Sequence, residues 1–396
     1  MKSEWNRVQV GELCSRVCSG GTPKSTNSEY YGGDIPWLNT REVNFNRISK
    51  TEGFITQEGL DNSSAKWIKK NCVIVAMYGA TAGRCAITKI PLTTNQACCN
   101  LEIDDTKADY RFVYYALKNE YVRLASAANG GAQQNLNAQQ VKEFDIPYPP
   151  LPIQRKIASI LSALDDKIET NNAICRNLEE QMESLFEKLF VREMNSEWKK
   201  GTISDLGKVI GGGTPSKKES SYYTNHGIAW ITPKDLSRCT NKFVRKGGID
   251  ITRQGLETSS ATIMPEGTIL YSSRAPIGYI AIADGAVSTN QGFKSVVPHE
   301  HIGKAYIYYF LKYNTPVIEN LASGSTFPEI SASAMKQLSA VIPDAATLEK
   351  FNAFCEPRLD IQRAKEREIN GLMELRDAIL PKLMNGELDV DSVDLK

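Results

Sequence analysis

The sequence lacks the features that define membrane and exported proteins. It contains no run of about 18 apolar residues of the kind that spans a bilayer. Its first five residues, Met-Lys-Ser-Glu-Trp, do not open the short apolar segment of a signal peptide. We therefore expect a cytoplasmic protein that makes no contact with a membrane.

Cysteine and histidine are also used in ways that argue against disulfides and metals. The nine cysteines are an odd number, two of them are adjacent at Cys98 and Cys99, and no Cys-x-x-Cys pair occurs. This usage is typical of reduced thiols rather than of a disulfide framework. The three histidines, His226, His299 and His301, do not form a zinc-binding spacing. We expect no structural metal.

Catalytic motifs are missing as well. The chain has no phosphate-binding Gly-x-x-x-x-Gly-Lys-Ser/Thr loop, no dinucleotide Gly-x-Gly-x-x-Gly after a strand and no nucleophile elbow. It also lacks the Asn/Asp-Pro-Pro-aromatic segment that is similar among amino-methyltransferases. These absences favour a non-catalytic binding protein with no cofactor of its own. A fused nuclease or methyltransferase remains the less favoured alternative.

The small net charge of +1 conceals an uneven distribution. Residues 1–150 carry 17 basic and 15 acidic side chains, and residues 194–346 carry 16 and 12. The stretches 151–193 and 347–396 carry 6 and 8, and 8 and 11. Basic charge is therefore concentrated between the helical stretches, which permits a DNA-binding face there but does not demonstrate one.

A helix of unusual length is the most prominent feature that is present. Residues 153–192 contain neither glycine nor proline, and Pro152 suits the first turn of a helix. Apolar residues recur every three or four positions, with one extra step of four between Leu164 and Ile168. This spacing predicts a coiled-coil seam with one local irregularity. About 40 residues at about 1.5 Å each would form a spacer about 60 Å long.

A second helix of the same kind is predicted at the end of the chain. Residues 178–190 recur as residues 372–384, so the first helix has a candidate partner. The second helix should begin at 345–355, break or kink at Pro357, resume at Arg358 and end near Pro381 and Gly386. The predicted interface between the two helices contains Ile157, Leu164, Ile168, Asn171, Leu178, Leu185, Leu189, Ile369, Leu372, Ile379 and Leu383.

Asn171 is the one polar residue on this apolar stripe. It is either a tolerated polar break or a residue that fixes the register of the paired helices, and we favour the second interpretation slightly.

An internal repeat organises the rest of the chain. Matching segments recur at offsets of about 192 to 196 residues. They are Gly-Gly-Thr-Pro at 20–23 and 212–215, Tyr-Tyr at 30–31 and 222–223, Gly-Leu-x-x-Ser-Ser-Ala at 59–65 and 255–261, Thr-Asn-Gln at 94–96 and 289–291, and Tyr-Tyr-x-Leu-Lys at 114–118 and 308–312.

The repeat predicts two globular domains of the same α+β fold and two long antiparallel helices. We expect domain 1 at residues 1–150, a helix at 151–193, domain 2 at 194–346, a helix at 347–386 and an acidic, frayed tail at 387–396. Buried strands are predicted at 72–77 and 268–271, and amphipathic helices at 109–123 and 301–312. Trp37 and Trp230 are expected in the cores rather than as stacking platforms.

Polar loops at matching places are the candidate binding surfaces. Segments such as 130–135 and 324–327 are rich in glutamine, asparagine, serine and threonine, which read base edges in the major groove, although solvated loops have a similar composition. The glycine-rich segment 211–218 suits either a phosphate contact or a turn before a strand. Thr-Asn-Gln occurs in both halves, so a structural turn is an alternative for it.

Taken together, the residues closely resemble the specificity (S) subunits of type I restriction-modification systems. The resemblance is carried by the repeated Gly-Gly-Thr-Pro and Thr-Asn-Gln segments, by Pro-Pro-Leu-Pro-Ile-Gln at 149–154 and by Leu-Arg-Asp-Ala-Ile-Leu-Pro-Lys-Leu-Met-Asn-Gly-Glu at 375–387, and it extends over nearly the full chain. The second helix begins differently from the first, with Ala-Ala-Thr-Leu-Glu at 345–349, so its docking surface is expected to be weaker.

The resemblance implies that each globular domain reads one half of a bipartite, asymmetric site in double-stranded DNA. The helices would set the spacing of the half-sites and dock two methyltransferase (M) subunits, which bind S-adenosylmethionine. Restriction (R) subunits would add ATP- and Mg-dependent cleavage. A coiled-coil scaffold whose ends bind protein or carbohydrate is the alternative. The candidate DNA contacts are Thr22, Lys24, Arg41, Tyr78, Arg84, Gln133, Gln134, Asn135, Thr214, Lys217, Lys218, Lys234, Ser272, Ser273, Arg274, Thr326 and Phe327.

Overall fold

Short strands separated by polar turns build the first half of the chain. In this computed structural model, residues 5–128, 135–322 and 328–390 are described. One compact unit consists of Met1–Ile168 together with Gly371–Lys396. Its strands are β1 (Arg7–Gln9), β2 (Cys14–Ser19), β3 (Tyr31–Leu38), β4 (Asn46–Ile48), β5 (Gly53–Ile55), β6 (Val73–Ala76), β7 (Cys85–Thr88), β8 (Thr93–Thr94), β9 (Cys98–Ile103) and β10 (Asp145–Pro147). Its short helices are α1 (Gln57–Asp61), α2 (Tyr110–Asn119), α3 (Tyr121–Ser126) and α4 (Ala138–Glu143).

The predicted strand at 72–77 is confirmed as β6, the central strand of this unit. A five-stranded sheet has the order β2-β9-β6-β7-β4, in which only the β4–β7 pair is parallel. Val73 and Val75 face a core that includes α2, whereas Ile74 and Ala76 face a second core. Because successive side chains of a strand point to opposite faces, a continuous apolar run is what a strand buried on both faces requires.

The second compact unit, Glu169–Asn370, repeats these elements. The helix α5 (Leu151–Glu187) leads into it and ends in a π-helical turn at Lys188–Arg192. Its strands are β11 (Lys199–Thr202), β12 (Gly207–Gly211), β13 (Tyr223–Thr224), β14 (Ile228–Ile231), β15 (Phe243–Val244), β16 (Ile249–Ile251), β17 (Ile269–Tyr271), β18 (Ile280–Ala283), β19 (Ser288–Thr289), β20 (Lys294–Pro298) and β21 (Ser339–Ile342). Its helices are α6 (Ile203–Leu206), α7 (Pro233–Arg238), α8 (Arg253–Glu257), α9 (Lys304–Tyr313), α10 (Thr315–Leu321) and α11 (Ala332–Lys336). The last helix, α12 (Ala345–Met384), belongs to this unit as far as Asn370 and to the first unit from Gly371.

The sheets of the second unit have the same topology as those of the first. The five-stranded order β12-β20-β17-β18-β15 corresponds strand for strand to β2-β9-β6-β7-β4. The order β13-β16-β14-β19 corresponds to β5-β3-β8, with β3 divided into two strands, and the pair β11-β21 corresponds to β1-β10. The predicted duplication of one α+β domain is therefore confirmed.

Two of the predicted helices are shorter than the sequence suggested. The segment 109–123 forms two helices, because α2 ends at Asn119 and α3 begins at Tyr121. The segment 301–312 becomes helical only from Lys304, after Gly303 with a φ of 84°. In both domains the paired tyrosines of these helices are buried in the core, as the apolar pattern predicts.

The two long helices pack side by side inside each unit. In the second unit Cys175 contacts Gln362, and Gln181 contacts Arg358. The residue numbers rise along α5 while they fall along α12, so the helices run antiparallel there. In the first unit the Ile157 end of α5 shares a core with Leu380 and Leu383 of α12.

Pro357 does not break α12, which contradicts the first of the two predicted alternatives, a break or a kink. The helix runs without interruption from Ala345 to Met384. A proline in a helix interior removes one amide donor and costs about 3 kcal/mol. Near this position the Arg358 guanidinium donates to the Phe354 carbonyl at 2.8 Å and lies over the Phe354 ring. Cys355 and Leu359 are fully buried on either side, so core packing outweighs the cost of the proline.

The helix α12 ends between Pro381 and Gly386, as predicted, but the tail that follows differs from the prediction. Pro381 lies inside the last turn, and the helix ends at Met384, shortly before Gly386, which has a φ of 65°. The tail is not frayed where the structure describes it, because Leu388 and Val390 pack against the core of the first unit. Apolar side chains in an otherwise acidic tail are the physical reason for this difference.

Candidate nucleic-acid interface

The Gly-Gly-Thr-Pro segment of the first domain is held in a tightly packed turn. The Trp37 indole donates to the Gly21 carbonyl at 2.9 Å, and the Tyr31 hydroxyl donates to the Pro23 carbonyl at 2.7 Å. A Cβ atom on Gly21 would lie 2.1 Å from the backbone nitrogen of Ala65, which is far inside van der Waals contact. Only glycine fits at this position.

The second domain builds the same turn from the corresponding residues. The Trp230 indole donates to the Gly213 carbonyl at 2.9 Å, and the Tyr223 hydroxyl donates to the Pro215 carbonyl at 2.7 Å. A Cβ atom on Gly213 would lie 2.2 Å from the Ala261 nitrogen. We call these two arrangements the glycine braces. Trp230 is buried, as predicted, whereas Trp37 is half-buried against a small apolar cluster. The braces explain why these motifs recur.

The Thr-Asn-Gln segments complete the two braces. The Gly21 amide donates to the Thr94 carbonyl at 2.8 Å, and the Gly213 amide donates to the Thr289 carbonyl at 2.9 Å. In each brace the threonine hydroxyl also hydrogen-bonds a glutamine, Thr22 with Gln96 and Thr214 with Gln291. The geometry supports the structural-turn interpretation, and the Gly213 amide is not free to bind a phosphate.

The two domains differ at the loop that follows the central strand. In the first domain this loop begins at Tyr78, whose surface is 43% exposed. The Leu136 amide donates to the Met77 carbonyl at 2.8 Å, which brings Asn135 close to Tyr78. Arg84, at the far end of the loop, donates to the Asn44 side chain at 2.8 Å. Three of the predicted DNA contacts are thus brought to one loop region.

The corresponding loop of the second domain begins at Arg274, which is exposed and donates from Nε to Glu329 at 2.7 Å. Ser272 and Ser273 precede it and are completely buried. The Ser272 hydroxyl donates to the Pro276 carbonyl at 3.0 Å and accepts from the Tyr279 amide at 2.8 Å. Neither serine is placed to contact a base directly, because both side chains are buried and hydrogen-bonded within the domain.

The remaining predicted contacts are dispersed over the surface of the two domains. Lys24, Lys217, Lys218 and Lys234 are exposed. Arg41 is exposed too and pairs with Glu52 at 2.8 Å. Gln133, Gln134, Thr326 and Phe327 lie outside the described residues. Because only part of each loop is described, the assignment of these residues to DNA stays a prediction.

The residues predicted to form the interface between the two long helices differ in how deeply they are buried. Ile157, Ile168, Asn171, Leu189, Ile369 and Leu383 are buried. Leu164, Leu178, Leu185, Leu372 and Ile379 are half-buried. Asn171 is fully buried, and neither atom of its amide has a hydrogen-bond partner within the described part of the chain. Its role in fixing the register therefore stays a prediction.

Charged residues that the stripe did not reveal join the long helices to the domains. In the first unit Asp165 accepts from the Tyr115 hydroxyl at 2.6 Å and from Arg376 of α12 at 2.8 Å, and Arg47 lies 4.0 Å away. All three charged side chains are nearly buried. We call this group the Asp165 cluster. Carboxylates next to stripe positions were the available signal, but the sequence did not identify their partners.

In the second unit a different set of charged residues connects the long helices to the domain. Glu179 accepts from the Tyr309 hydroxyl and from Lys312, each at 2.9 Å, and pairs with the buried Lys242. Burial raises the pKa of Glu179, but the two lysines and their hydrogen bonds lower it more, so the net shift is downward. We call this group the Glu179 cluster. Tyr115 and Tyr309 correspond in the repeat, and Lys312 corresponds to Lys118, whereas Asp165 and Glu179 do not correspond to each other.

Nearby, Glu366 of α12 receives two backbone amides instead of a second cation. The Lys242 and Phe243 amides each donate to its carboxylate at 3.0 Å. Burial raises the pKa of Glu366, and these hydrogen bonds reduce that effect without reversing it. Burial also lowers the pKa of Lys242, which its pairing with Glu179 offsets only in part. The Glu366 carboxylate therefore connects α12 to the backbone at the start of β15.

Within the described ranges, no three histidine, cysteine, aspartate or glutamate side chains converge as metal ligands. The Cys99 thiol is buried, and burial raises its pKa to about 12, which disfavours the reactive thiolate form. Among the helices that the structure describes, none has the length and apolar content needed to cross a bilayer.

The architecture of this chain is a duplicated α+β domain with paired long helices, and comparison with known families identifies the class of protein to which it belongs. The family model described as type I restriction modification DNA specificity domain matches the chain twice, at residues 2–180 and 195–370. Since these matches cover most of the chain, it belongs to that family.

Individual relatives are similar in sequence to this chain over nearly its full length. The chain is 26% identical to the type I restriction enzyme MjaIX specificity subunit of Methanocaldococcus jannaschii, over 98% of this chain and 95% of the relative. It is 21% identical to the HindI specificity subunit of Haemophilus influenzae, over 98% and 100%. The crystal structure of a type I restriction-modification S subunit from M. genitalium matches with a TM-score of 0.63 at 19% identity, covering 96% of both chains, which supports the fold.

Proposed function

We propose that this chain is the specificity subunit of a type I restriction-modification complex and that each globular domain reads one half of a bipartite DNA target. The observation that carries the proposal is the contrast between the shared glycine braces and the unlike loops that begin at Tyr78 and Arg274. A common scaffold with different exposed side chains is what two different half-sites require. The target is therefore asymmetric.

In this proposal the chain itself is not catalytic. It directs two methyltransferase subunits, which carry S-adenosylmethionine, and restriction subunits, which use ATP and Mg²⁺. The family membership and the full-length similarity to specificity subunits support this assignment. Turnover of DNA by the purified chain alone would contradict it.

The most direct test is to sequence DNA methylation in cells that carry the complete system, with and without this chain. We expect a bipartite methylated-adenine motif that disappears when the gene is removed. Binding of the purified complex to duplex DNA should also weaken with salt, because phosphate contacts release counterions. A folded complex without DNA affinity would instead favour a scaffold that binds protein or carbohydrate.

We further propose that the long helices set the gap between the half-sites. Four residues inserted after Glu169 would add about 6 Å, close to two base pairs, and would rotate the following segment by about 40° beyond a full turn. The same half-sites should then be methylated with a longer gap. An unchanged gap in an active complex would restrict the helices to docking the methyltransferase subunits.

A further inference from the structure

Arg274 is held by a small charged network that has no counterpart in the first domain. Its Nε donates to one oxygen of Glu329 at 2.7 Å, and the other oxygen of Glu329 lies 3.2 Å from the ammonium group of Lys294. That ammonium group donates in turn to the Ser273 hydroxyl at 3.3 Å. Lys294 is only 10% exposed and Ser273 is fully buried, so the network is anchored in the domain.

The backbone places Arg274 and Glu329 opposite each other. The two residues form an isolated antiparallel bridge, and the Ile330 amide donates to the Ser273 carbonyl at 3.0 Å. Burial raises the pKa of the Glu329 carboxyl, but the hydrogen bonds from Arg274 and Lys294 lower it more, so the carboxylate is the favoured form. The support beneath Arg274 is thus built from both backbone and side chains.

The contact through Nε leaves the outer edge of the guanidinium available. Within the described ranges, Arg274 makes no side-chain hydrogen bond other than the one to Glu329. Two parallel N–H groups on the two terminal nitrogens match the O6 and N7 acceptors of guanine in the major groove. A carboxylate that fixes the plane of the guanidinium reduces the entropy lost on binding.

The corresponding positions of the first domain carry no charge. The Met77 amide donates to Ala97 just as the Ser273 amide donates to Gly292, so Met77 corresponds to Ser273 and Tyr78 to Arg274. By the same register Cys99 corresponds to Lys294 and Asn135 to Glu329. The charged network belongs to one domain only, which ties it to recognition rather than to the shared fold.

We propose that Glu329 is a positioning residue that presents Arg274 to a guanine in the half-site read by the second domain. This inference rests on the proposed function and assigns a base to one half of its target. Lys294 and Ser273 act through Glu329. Arg274 is the residue that contacts the base.

The test compares methylation motifs directed by the complete complex containing wild-type, Arg274→Lys, Glu329→Gln or doubly substituted chains. Arg274→Lys keeps the charge but loses the two-pronged contact, so preference for one guanine should fall about tenfold while the other positions stay specific. Glu329→Gln should weaken preference at the same guanine, by less. The double variant should be no worse than Arg274→Lys alone, because Glu329 acts through Arg274.

Glu257→Gln is the matched control. Glu257 pairs with Arg253 at the same distance of 2.7 Å in the same domain, but both side chains are mostly exposed and they belong to α8. This substitution should leave the motif unchanged. Thermal unfolding of Arg274→Lys should match the wild type, because Arg274 is exposed and its replacement removes no core contact. Glu329→Gln should unfold at a somewhat lower temperature, because the nearly buried Lys294 loses its carboxylate partner, so the motifs are compared well below the unfolding temperature of every variant.

Three outcomes would overturn the inference while leaving the proposed function intact. They are a bipartite wild-type motif without guanine in the affected half, a motif that Arg274→Lys does not change, and a uniform loss of methylation at all sequences, which indicates a phosphate contact. If the double variant loses as much guanine preference as the two single variants combined, Glu329 does not act through Arg274 and has no positioning role. If the wild-type chain directs no bipartite methylation at all, the proposed function fails and the inference fails with it.

Discussion

The two globular domains share their sheet topology and their glycine braces, and they differ at the loop that follows the central strand. The hydrogen bonds from Trp37 and Trp230 have the same length of 2.9 Å, as do those from Tyr31 and Tyr223 at 2.7 Å. The exposed loop begins with Tyr78 in the first domain and with Arg274, which is hydrogen-bonded to Glu329, in the second. The residues that recur are those that the fold needs, and the residues that differ are candidates for recognition.

The charged clusters extend this contrast to the attachment of the helices. Both clusters contain a buried tyrosine from the same position of the repeat, yet one centres on Asp165 with arginines and the other on Glu179 with lysines. The charged residues that attach the helices therefore differ between the two domains, and each buried charge depends on the partners of its own domain.

Removing Asp165 or Glu179, the central carboxylates of the two charged clusters, should lower the free energy of unfolding by the largest amount. Asp165→Ala removes the nearly buried carboxylate next to Arg376 and Arg47, which keep their ion pairs with the exposed Asp377 and Asp166. We expect a loss of about 3 kcal/mol in the free energy of unfolding, the lower end for a broken buried ion pair. Glu179→Ala should be comparably harmful because it leaves Lys242 unpaired. Urea unfolding with hydrogen exchange resolved by domain measures both.

Glu180→Ala is the control for these variants, because Glu180 is exposed and next to Glu179. It should change stability by less than about 0.5 kcal/mol. A severe loss from one cluster and none from the other would show that the two attachments are not equivalent.

Alanine in the glycine braces should have the next largest effect, and it should be equal in the two domains. Gly21→Ala and Gly213→Ala each place a Cβ atom about 2 Å from a backbone nitrogen, so we expect each to cost about 1–3 kcal/mol. Thermal unfolding measures this. Gly211→Ala, which meets nothing within 4 Å, should be nearly neutral. Unequal costs would weaken the view that the braces are a shared structural element.

Loss of the exposed aromatic residue of the first domain should change recognition in one half-site only. We expect Tyr78→Ala to reduce discrimination in that half by about 1 kcal/mol, the lower end for a base contact. Methylation-motif sequencing is the readout. Phe54→Ala removes another exposed aromatic residue of the same domain and should leave the motif unchanged. Relaxation of both half-sites by Tyr78→Ala would contradict the division of labour.

The smallest expected effect concerns acid stability. Burial raises the pKa of Asp145, but hydrogen bonds from Arg123 and Arg7 outweigh it and lower the pKa to about 2 from 3.8. A depressed pKa stabilises the fold above pH 3.8, and this contribution is lost as the pH falls towards 2. Because Asp145 is 39% exposed, solvent screening keeps the effect below about 1 kcal/mol.

Asp145→Asn should therefore flatten the acid unfolding curve of the first domain, measured by circular dichroism between about pH 4 and 2. Asp34→Asn, at an exposed site of the same domain, is the control. The corresponding strand of the second domain, β21, has the sequence Ser-Ala-Val-Ile and no such carboxylate. A steeper curve for Asp145→Asn would reverse the assigned sign.

Several elements were predictable because their signals are local. The spacing of apolar residues along 153–192 predicts a long helix, and the apolar runs at 72–77 and 268–271 predict buried central strands. The break at Pro357 was wrong because local rules do not include the burial of Cys355 and Leu359. The frayed tail was wrong for residues 387–390 for the same reason, since Leu388 and Val390 find a core.

The candidate site was harder to predict, because its residues are distant along the chain. The loop pattern predicts Arg274, but Glu329 lies 55 residues away and no sequence signal connects the two. The same loop pattern predicts DNA contacts by Ser272 and Ser273, and the fold buries both. Polarity alone does not distinguish a side chain that faces solvent from one that braces a turn.

The sequence by itself determined the duplication, the α+β class, the two long helices and the family, because repeated motifs and apolar spacing are properties of neighbouring residues. Only the tertiary structure decided which polar residues are exposed, which carboxylate supports Arg274 and which charges hold the helices to each domain. Those outcomes depend on desolvation and on contacts between segments far apart in the chain, and no local pattern records them.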